Sequence, residues 1–412
     1  MKVENIDSVG IEVCSRWKEY KFSELLFDES ISYGIVQPGT HTEIDSVPII
    51  RVTNIKNGNI ITDEIMKVSS SIEAKYLRTR LVGGELLITV VGSVGECAIV
   101  PENLKGWNVA RAVSVARIKK GFDTKFIKYA FKTDDIIFQM YGNTNDTVQP
   151  TLNLSLLKEL KFTLPTFYEQ TAIATILSSL DDKIDLLHRQ NKTLEQLAET
   201  LFRQWFVEEA EESWKEKKLG ELLTITSSKR IFYSEYVSSG VPFYRSKEII
   251  ELRNSGSTNS ELYISNERFN EINNKFGSPK EGDILMTSVG TLGVAYRVRK
   301  TDKFYFKDGN LTWFKDFKEL PSSIIYLWLI SKIGQEELAS RTIGSTQEAL
   351  TIEGLKSITF KVPPKEKIKL YEIEFNTIID RIESNQTQIR TLTQLRDTLL
   401  PKLMSGEVRV IQ

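Results

Sequence analysis

The sequence predicts an α+β protein: two tandem α+β domains joined by two long helices that form an intramolecular antiparallel coiled coil with approximate two-fold symmetry. Three observations lead there. A repeat runs through the chain at a period near 198 residues, heptad-spaced apolar positions close each copy, and mixed strand and helix patterns precede them.

The repeat begins with RWKEYKFSELL (from Arg16) and SWKEKKLGELL (from Ser213). Trp17, Lys18, Glu19, Lys21, Glu24 and Leu26 recur 197 positions on as Trp214, Lys215, Glu216, Lys218, Glu221 and Leu223. LLITVVGSVGE (from Leu86) then faces DILMTSVGTLGV (from Asp283), where Gly92 and Gly95 match Gly290 and Gly293 at an offset of 198. The same offset aligns TLNLSLLKELKFTLP (from Thr151) with ALTIEGLKSITFKVP (from Ala349) and continues without a gap to Leu201 and Leu399. Chance does not hold one register that long.

Within each copy the first part mixes strands, turns and short helices. VPIIRVTNIKNGNII (from Val47) predicts two short strands around an Asn-Gly turn. LLITVVGSVGECAIV predicts a buried strand, a glycine turn and a second strand. FIKYAFKTDDIIFQMY and IIYLWLISKIGQEEL carry helical spacing. Pro165 and the capping pattern Thr166-x-x-Glu169 then start a long helix. Its seam is Ile173, Leu177, Leu180, Ile184, Leu187, Asn191, Leu194, Ala198, Leu201 and Trp205, in steps of four and three. After Pro363-Pro364 the second seam is Tyr371, Phe375, Ile378, Ile382, Asn385, Ile389, Leu392, Arg396, Leu399 and Leu403. A helix with one apolar stripe needs a partner, and the other copy supplies it. The single Asn in each seam, Asn191 or Asn385, fits a polar position that fixes register. The divisions expected are a first domain over 1–163, a central helix over 164–211, a second domain over 212–362, and a C-terminal helix and tail over 363–412.

Composition narrows the function. The two cysteines, Cys14 and Cys97, cannot build a disulfide framework, which fits a reducing cytoplasm. MKVENIDSVG lacks the apolar run of a signal peptide, and the most apolar segment, Ser322–Ile333, is too short to cross a bilayer. The net charge of −1 is neutral evidence on nucleic acid, because it says nothing of how charge is distributed. With two histidines, His41 and His188, a histidine zinc site is hard to build, and no metal site is expected. HExxH, Walker A, CxxC and complete GxGxxG patterns are missing, as are the Asn-Pro-Pro-aromatic and Asp-Pro-Pro-aromatic runs an adenine methyltransferase needs. No catalytic residues are assigned, so the residues describe a binding protein.

At this point the chain resembles a known family. LPTFYEQTAIATILSSLDDKIDLLHRQNKTLEQLAETLFRQWF (from Leu164) and LTQLRDTLLPKLMSGEVRV (from Leu392) resemble the helices of type I restriction–modification specificity subunits. GELLITVVGSVG and GDILMTSVGTLG resemble the glycine-rich strand pair of that family's target recognition domains. The resemblance implies that each domain reads one half of an asymmetric bipartite site in double-stranded DNA and that the coiled coil sets the spacer. It implies two methyltransferase (modification) subunits carrying S-adenosylmethionine, restriction (translocase) subunits using ATP and Mg²⁺, and no cofactor on this chain.

Sequence is read through base-edge contacts, typically Arg to guanine and Asn or Gln to adenine. The stretches that differ between copies therefore hold the candidate readers: Arg51, Asn54, Lys56, Asn57 and Asn59 in the first domain, Arg245, Ser246, Lys247, Arg253 and Asn254 in the second. A second group precedes each helix-leading strand: Asn143, Thr144 and Asn145, and Arg341, Ser345, Thr346 and Gln347. Trp205 and Phe206 are open to two readings, docking groups or caps on the seam, and Trp205 falls on the heptad. The rival functions left open by the residues are an elongated non-enzymatic scaffold and a fragment of a fused restriction enzyme.

Overall fold

The computed structural model describes residues 2–5, 17–142, 151–344 and 348–411. Cys14, Arg16, Asn143, Thr144, Asn145, Ser345, Thr346 and Gln347 therefore lie outside the described residues. The chain forms two compact units, one made of residues 1–182 with 393–412, the other of residues 183–392.

The first unit is built on a four-stranded antiparallel sheet of β1 (Leu26–Tyr33), β2 (Leu86–Thr89), β3 (Cys97–Ile99) and β4 (Val113–Ile118), in the order β1-β4-β2-β3. All four residues of β2 are buried, because both faces of the sheet are covered. Leu86 and Ile88 point into a core shared with the helices Thr124–Ala130 and Asp134–Tyr141. Leu87 points the other way, to Ile50, Val109 and Leu104. On that side Ser46–Ile50 pairs parallel with Asn108–Val109 and antiparallel with Met66–Ser69. Asn57-Gly58 turns the hairpin between Ile55–Lys56 and Asn59–Ile60, with φ of 53° and 82°. Positive φ at both central residues is the turn that matches strand twist, and Asn-Gly supplies it.

The second unit repeats the plan. Its sheet is β5 (Thr224–Thr226), β6 (Ile284–Thr287), β7 (Ala295–Arg297) and β8 (Leu311–Lys315), ordered β5-β8-β6-β7. Ile284 and Met286 enter the helical core, while Leu285 faces Ile249 and Phe304. Val241–Tyr244 pairs parallel with Tyr305–Phe306, as its counterpart does in the first unit.

The repeated Trp-Lys-Glu entry is a clasp. Lys18–Lys21 pairs antiparallel with Lys161–Leu164, and Lys215–Lys218 with Thr359–Val362. Each clasp ends on the same bond, Phe22 N–H to the Leu160 carbonyl at 2.8 Å and Leu219 N–H to the Ile358 carbonyl at 2.7 Å. The strand that leads into each long helix is thereby fixed to its own domain. Trp214 is a core residue, packed near Phe206.

The first long helix spans Phe167–Arg203, with Thr166 accepting from the Glu169 N–H, and continues as a π-helical turn, Gln204–Glu208. The second spans Lys365–Ser405. In the first unit Ile173, Ala174 and Leu177 share a core with Leu403 and Met404. Asp181 there accepts from Arg396 at 2.9 Å and from the Tyr129 hydroxyl at 2.6 Å. In the second unit Asn385 donates to Asn191 at 2.8 Å, and Trp205 stacks on Tyr371 at 4.3 Å between ring centroids. The two helices run antiparallel within each unit, since partners ascend one as they descend the other. The predicted seam turns inward. Leu177, Leu187, Ile378, Ile382, Asn385 and Ile389 are buried, while Leu180, Ile184, Asn191, Leu194, Leu201, Leu392 and Leu399 are half-buried.

Burial alone would raise the Asp181 carboxyl, but the hydrogen bonds from Tyr129 and Arg396 hold it below the ordinary carboxylate range. A depressed carboxylate adds stability that is complete above the unfolded value and is lost as pH falls through the folded one. Asp181→Asn is therefore expected to cost about 3 kcal/mol at pH 7, the low end for a buried pair because Arg396 keeps Asp397. Urea titrations should give the same deficit at pH 5 and a shrinking one below about pH 4.

Candidate nucleic-acid interface

Each unit gathers its variable segments around the glycine turn that closes its central strand pair. In the first unit Thr89 ends β2 and accepts the Glu96 N–H on its Oγ1 at 3.0 Å, while its carbonyl takes the Gly95 N–H at 2.9 Å. In the second, Thr287 binds the Val294 and Gly293 N–H groups in the same way, at 3.0 and 2.9 Å. Gly95 and Gly293 have φ of 87° and 76°, and a Cβ there would strike Met140 or Gln335 at under 3 Å. Glycine is needed at both, for backbone angle and for close approach to a helix.

The described neighbours of the second candidate group are tethered at this turn. The Tyr141 hydroxyl donates to the Val94 carbonyl at 3.0 Å, and Val91 bridges Thr151. These residues bracket Asn143, Thr144 and Asn145. In the second unit Val289 bridges Ala349, which bridges Ile343 in turn, bracketing Ser345, Thr346 and Gln347. The first group lies close by. A Cβ on Gly92 would touch Val52 at 3.9 Å. In the second unit Arg253, Asn254 and the Gly293 turn line one cleft of about 430 Å³, with His188 and Lys192 of the long helix.

Individual candidates divide sharply. Arg51 and Arg245 occupy the same topological place, at the end of the strand that pairs parallel within its domain. Each has its backbone N–H capped by the residue three on: Asn54 Oδ1 at 3.0 Å, Glu248 Oε2 at 2.8 Å. From that shared device the chain goes different ways, into a hairpin in the first unit and a helix, Ser246–Ser255, in the second.

Four candidates are engaged within their own domains. Asn54 is buried, with its amide donating to the Ile61 carbonyl at 3.2 Å, so it closes the loop from inside and presents nothing to a base. Arg253 is paired with Glu195 on the long helix at 2.8 Å and fastens the short helix to it. Arg341 is held by Glu337 at 2.8 Å, one turn back on its own helix. Ser246 turns its hydroxyl oxygen inward, away from solvent. Arg51 is half committed, donating to the Glu64 carbonyl at 3.2 Å. Arg245 is held by the buried Glu248 and by Glu261. Burial would raise Glu248, yet the side-chain and backbone hydrogen bonds of Arg245 bring it below its ordinary value.

The residues free to reach outward are Lys56, Asn57 and Asn59 at the hairpin tip, and Lys247 and Asn254 on the helix; all are exposed. Lys247 has Glu261 at 3.3 Å and Glu251 at 4.0 Å, surface pairs worth at most about 1 kcal/mol. One positioning residue went unforeseen: Lys128 on the helix Thr124–Ala130 reaches the Gly58 carbonyl at 3.5 Å and steadies the hairpin from below. Burial holds its ammonium pKa below the ordinary lysine value. A lysine amid the apolar face of a predicted helix was the available signal. Trp205 and Phe206 pack with Tyr371 in the second unit's core, which accounts for both.

Fold and site together define a DNA-specificity protein with two recognition domains of one plan and different loops. The chain belongs to the type I restriction modification DNA specificity domain family, whose model matches residues 19–196 and 211–397. It is similar to the MjaIX specificity subunit of Methanocaldococcus jannaschii, 26% identical over 79% of this chain and 78% of that one. It is also similar to the EcoBI specificity subunit of Escherichia coli, 28% identical over 46% of this chain and 40% of the other. The S subunit structure from M. genitalium has the same fold, with a TM-score of 0.59 at 18% identity over 94% of this chain and 96% of that one. No helix among the described residues is long and apolar enough to cross a membrane.

Asn54→Ala is expected to cost about 1–3 kcal/mol, because it leaves the Arg51 N–H without its cap and two carbonyls without a donor. Lys56→Ala and Asn59→Ala should stay within about 0.5 kcal/mol. Urea denaturation of the three variants checks the division between scaffold and outward-facing residues.

Proposed function

We propose that the domains at 1–163 and 212–362 each read one half of an asymmetric two-part DNA site, and that the helices at 164–211 and 363–412 set the interval between halves. The observation that carries this is the contrast at one place in two copies. The capped strand end and glycine turn are the same, while a hairpin leaves one and a helix leaves the other. A pair of readers with unlike targets needs that combination, and family membership supplies the class of target. Lys56, Asn57 and Asn59 read for the first domain, and Lys247 and Asn254 for the second, and Asn143, Thr144, Asn145, Ser345, Thr346 and Gln347 are further candidates.

The chain itself performs no chemistry in this reading and holds no cofactor. Two methyltransferase subunits with S-adenosylmethionine dock along the helices and methylate adenine. Restriction subunits using ATP and Mg²⁺ join them, and the assembly works on double-stranded DNA in the cytoplasm. Partner subunits supply most phosphate contacts, which suits a chain of net charge −1.

Adenine-methylation mapping of DNA from cells expressing the chain with its modification subunit should reveal one interrupted motif, absent without the chain. Exchanging residues 47–64 should change one half of that motif and leave the gap intact. Removing one heptad from each helix shortens the rod by about 10 Å, about three base pairs of duplex, and should change the gap alone. Unchanged methylation with a competent modification subunit present would overturn the reading.

A further inference from the structure

We propose that the long helices carry a pairing code that makes each half of the chain bind the other half and reject a second copy of itself. The evidence lies in what the 198-residue repeat does to three interhelix pairs.

Each compact unit takes its core from both halves. Ala198, Phe202 and Phe206 of the first half enter the core of the second unit, and Leu403, Met404 and Val408 of the second half enter that of the first. A half released from its mate would expose that surface, and the surface best matched to cover it by sequence is a second copy of itself. The pairs oppose this. Asn191 is bonded to Asn385, but the repeat equivalents of these residues are Ile389 and Leu187, both apolar and buried. Asp181 is bonded to Arg396, but their equivalents are Ile379 and Ala198, both in the second unit's core. Trp205 stacks on Tyr371, while their equivalents, Leu403 and Ile173, share the first unit's core.

Same-half pairing scrambles every one of these matches. With two copies of the first half, Asn191 meets Leu187, Asp181 meets Ala198 and Trp205 meets Ile173, each twice. With two copies of the second, Asn385 meets Ile389, Arg396 meets Ile379 and Tyr371 meets Leu403. Each arrangement buries amides against aliphatic side chains; one takes the countercharge from the Asp181 carboxylate, and the other takes the interhelix partner from Arg396, which keeps only Asp397 on its own helix. Unpaired buried charges and amides are the costly defects. Mixed pairing instead sets amide with amide, charge with countercharge, and ring with ring.

The test uses the full chain with a protease site inserted after Glu212, cut once folded, unfolded in urea and refolded by dilution, with native mass spectrometry counting the pairs. Mixed pairs are expected to exceed same-half pairs at least tenfold. Random pairing would make same-half pairs half of the total and would overturn the proposal. In the variant Asn191→Leu, Asn385→Leu, Asp181→Ile, Arg396→Ala these positions become alike in both copies, and same-half pairs should rise severalfold. Should the cut protein fail to refold, uncut chains decide. Asn191→Leu and Asn385→Leu should each lower the melting temperature, and the double variant should regain part of the loss. Strictly additive losses would overturn the code.

Discussion

The constraint on which the rest of this structure depends is the exchange of helix ends. A domain of this kind, with a sheet covered on both faces, still leaves one helical surface open, and its own long helix covers only part of it. The remainder is covered by the far end of the other half's helix. Leu403 and Met404 do this in one unit, Phe202 and Phe206 in the other. Burial of large apolar side chains drives such contacts, at about 1.5–3 kcal/mol each, but burial alone does not choose a partner. The polar ties do. Asn191–Asn385 and Asp181–Arg396 fix register, because a shift along either helix leaves a buried amide or charge without its mate.

A fixed scaffold then frees the loops to differ. The clasp strands hold each long helix to its own domain through bonds equivalent in both copies, and the Thr-anchored glycine turns hold the helix-leading segments. None of these bonds involves Lys56, Asn57, Asn59, Lys247 or Asn254. The exposed hairpin tip lies outside this bonded frame, so it can be replaced without loosening the core beneath it.

Much of this was legible in the sequence, and the reason is periodicity. Heptad spacing marks seam positions that are all buried or half-buried, and the repeat marks the two-domain plan. Asn57-Gly58 declared its turn because few other pairs accept positive φ at both positions. Single polar side chains carry no such periodicity. Asn54 has the composition of a base reader and the burial of a core residue; only its hydrogen bonds to backbone distinguish the two. Arg253 carries a charge that DNA would favour, yet Glu195 lies 58 positions upstream in the sequence, beyond any local pattern. Arg396 was visible as a charge on an apolar seam, a sign of a buried partner, but Asp181 lies off the seam and could not be named without the fold.

The capped strand ends show how one plan yields two readers. Arg51 and Arg245 stop a strand with the same i to i+3 bond, and the capping residue is the point of divergence. Asn54 caps with an amide that also closes a tight loop, so the chain turns back as a hairpin with its donors at the tip. Glu248 caps with a carboxylate at the first turn of a helix, where negative charge meets the helix dipole favourably, so the chain runs on and carries Lys247 and Asn254 along one element. The acidic neighbours of Lys247 fit this logic. Exposed pairs with Glu251 and Glu261 are weak enough for a phosphate to displace at little cost.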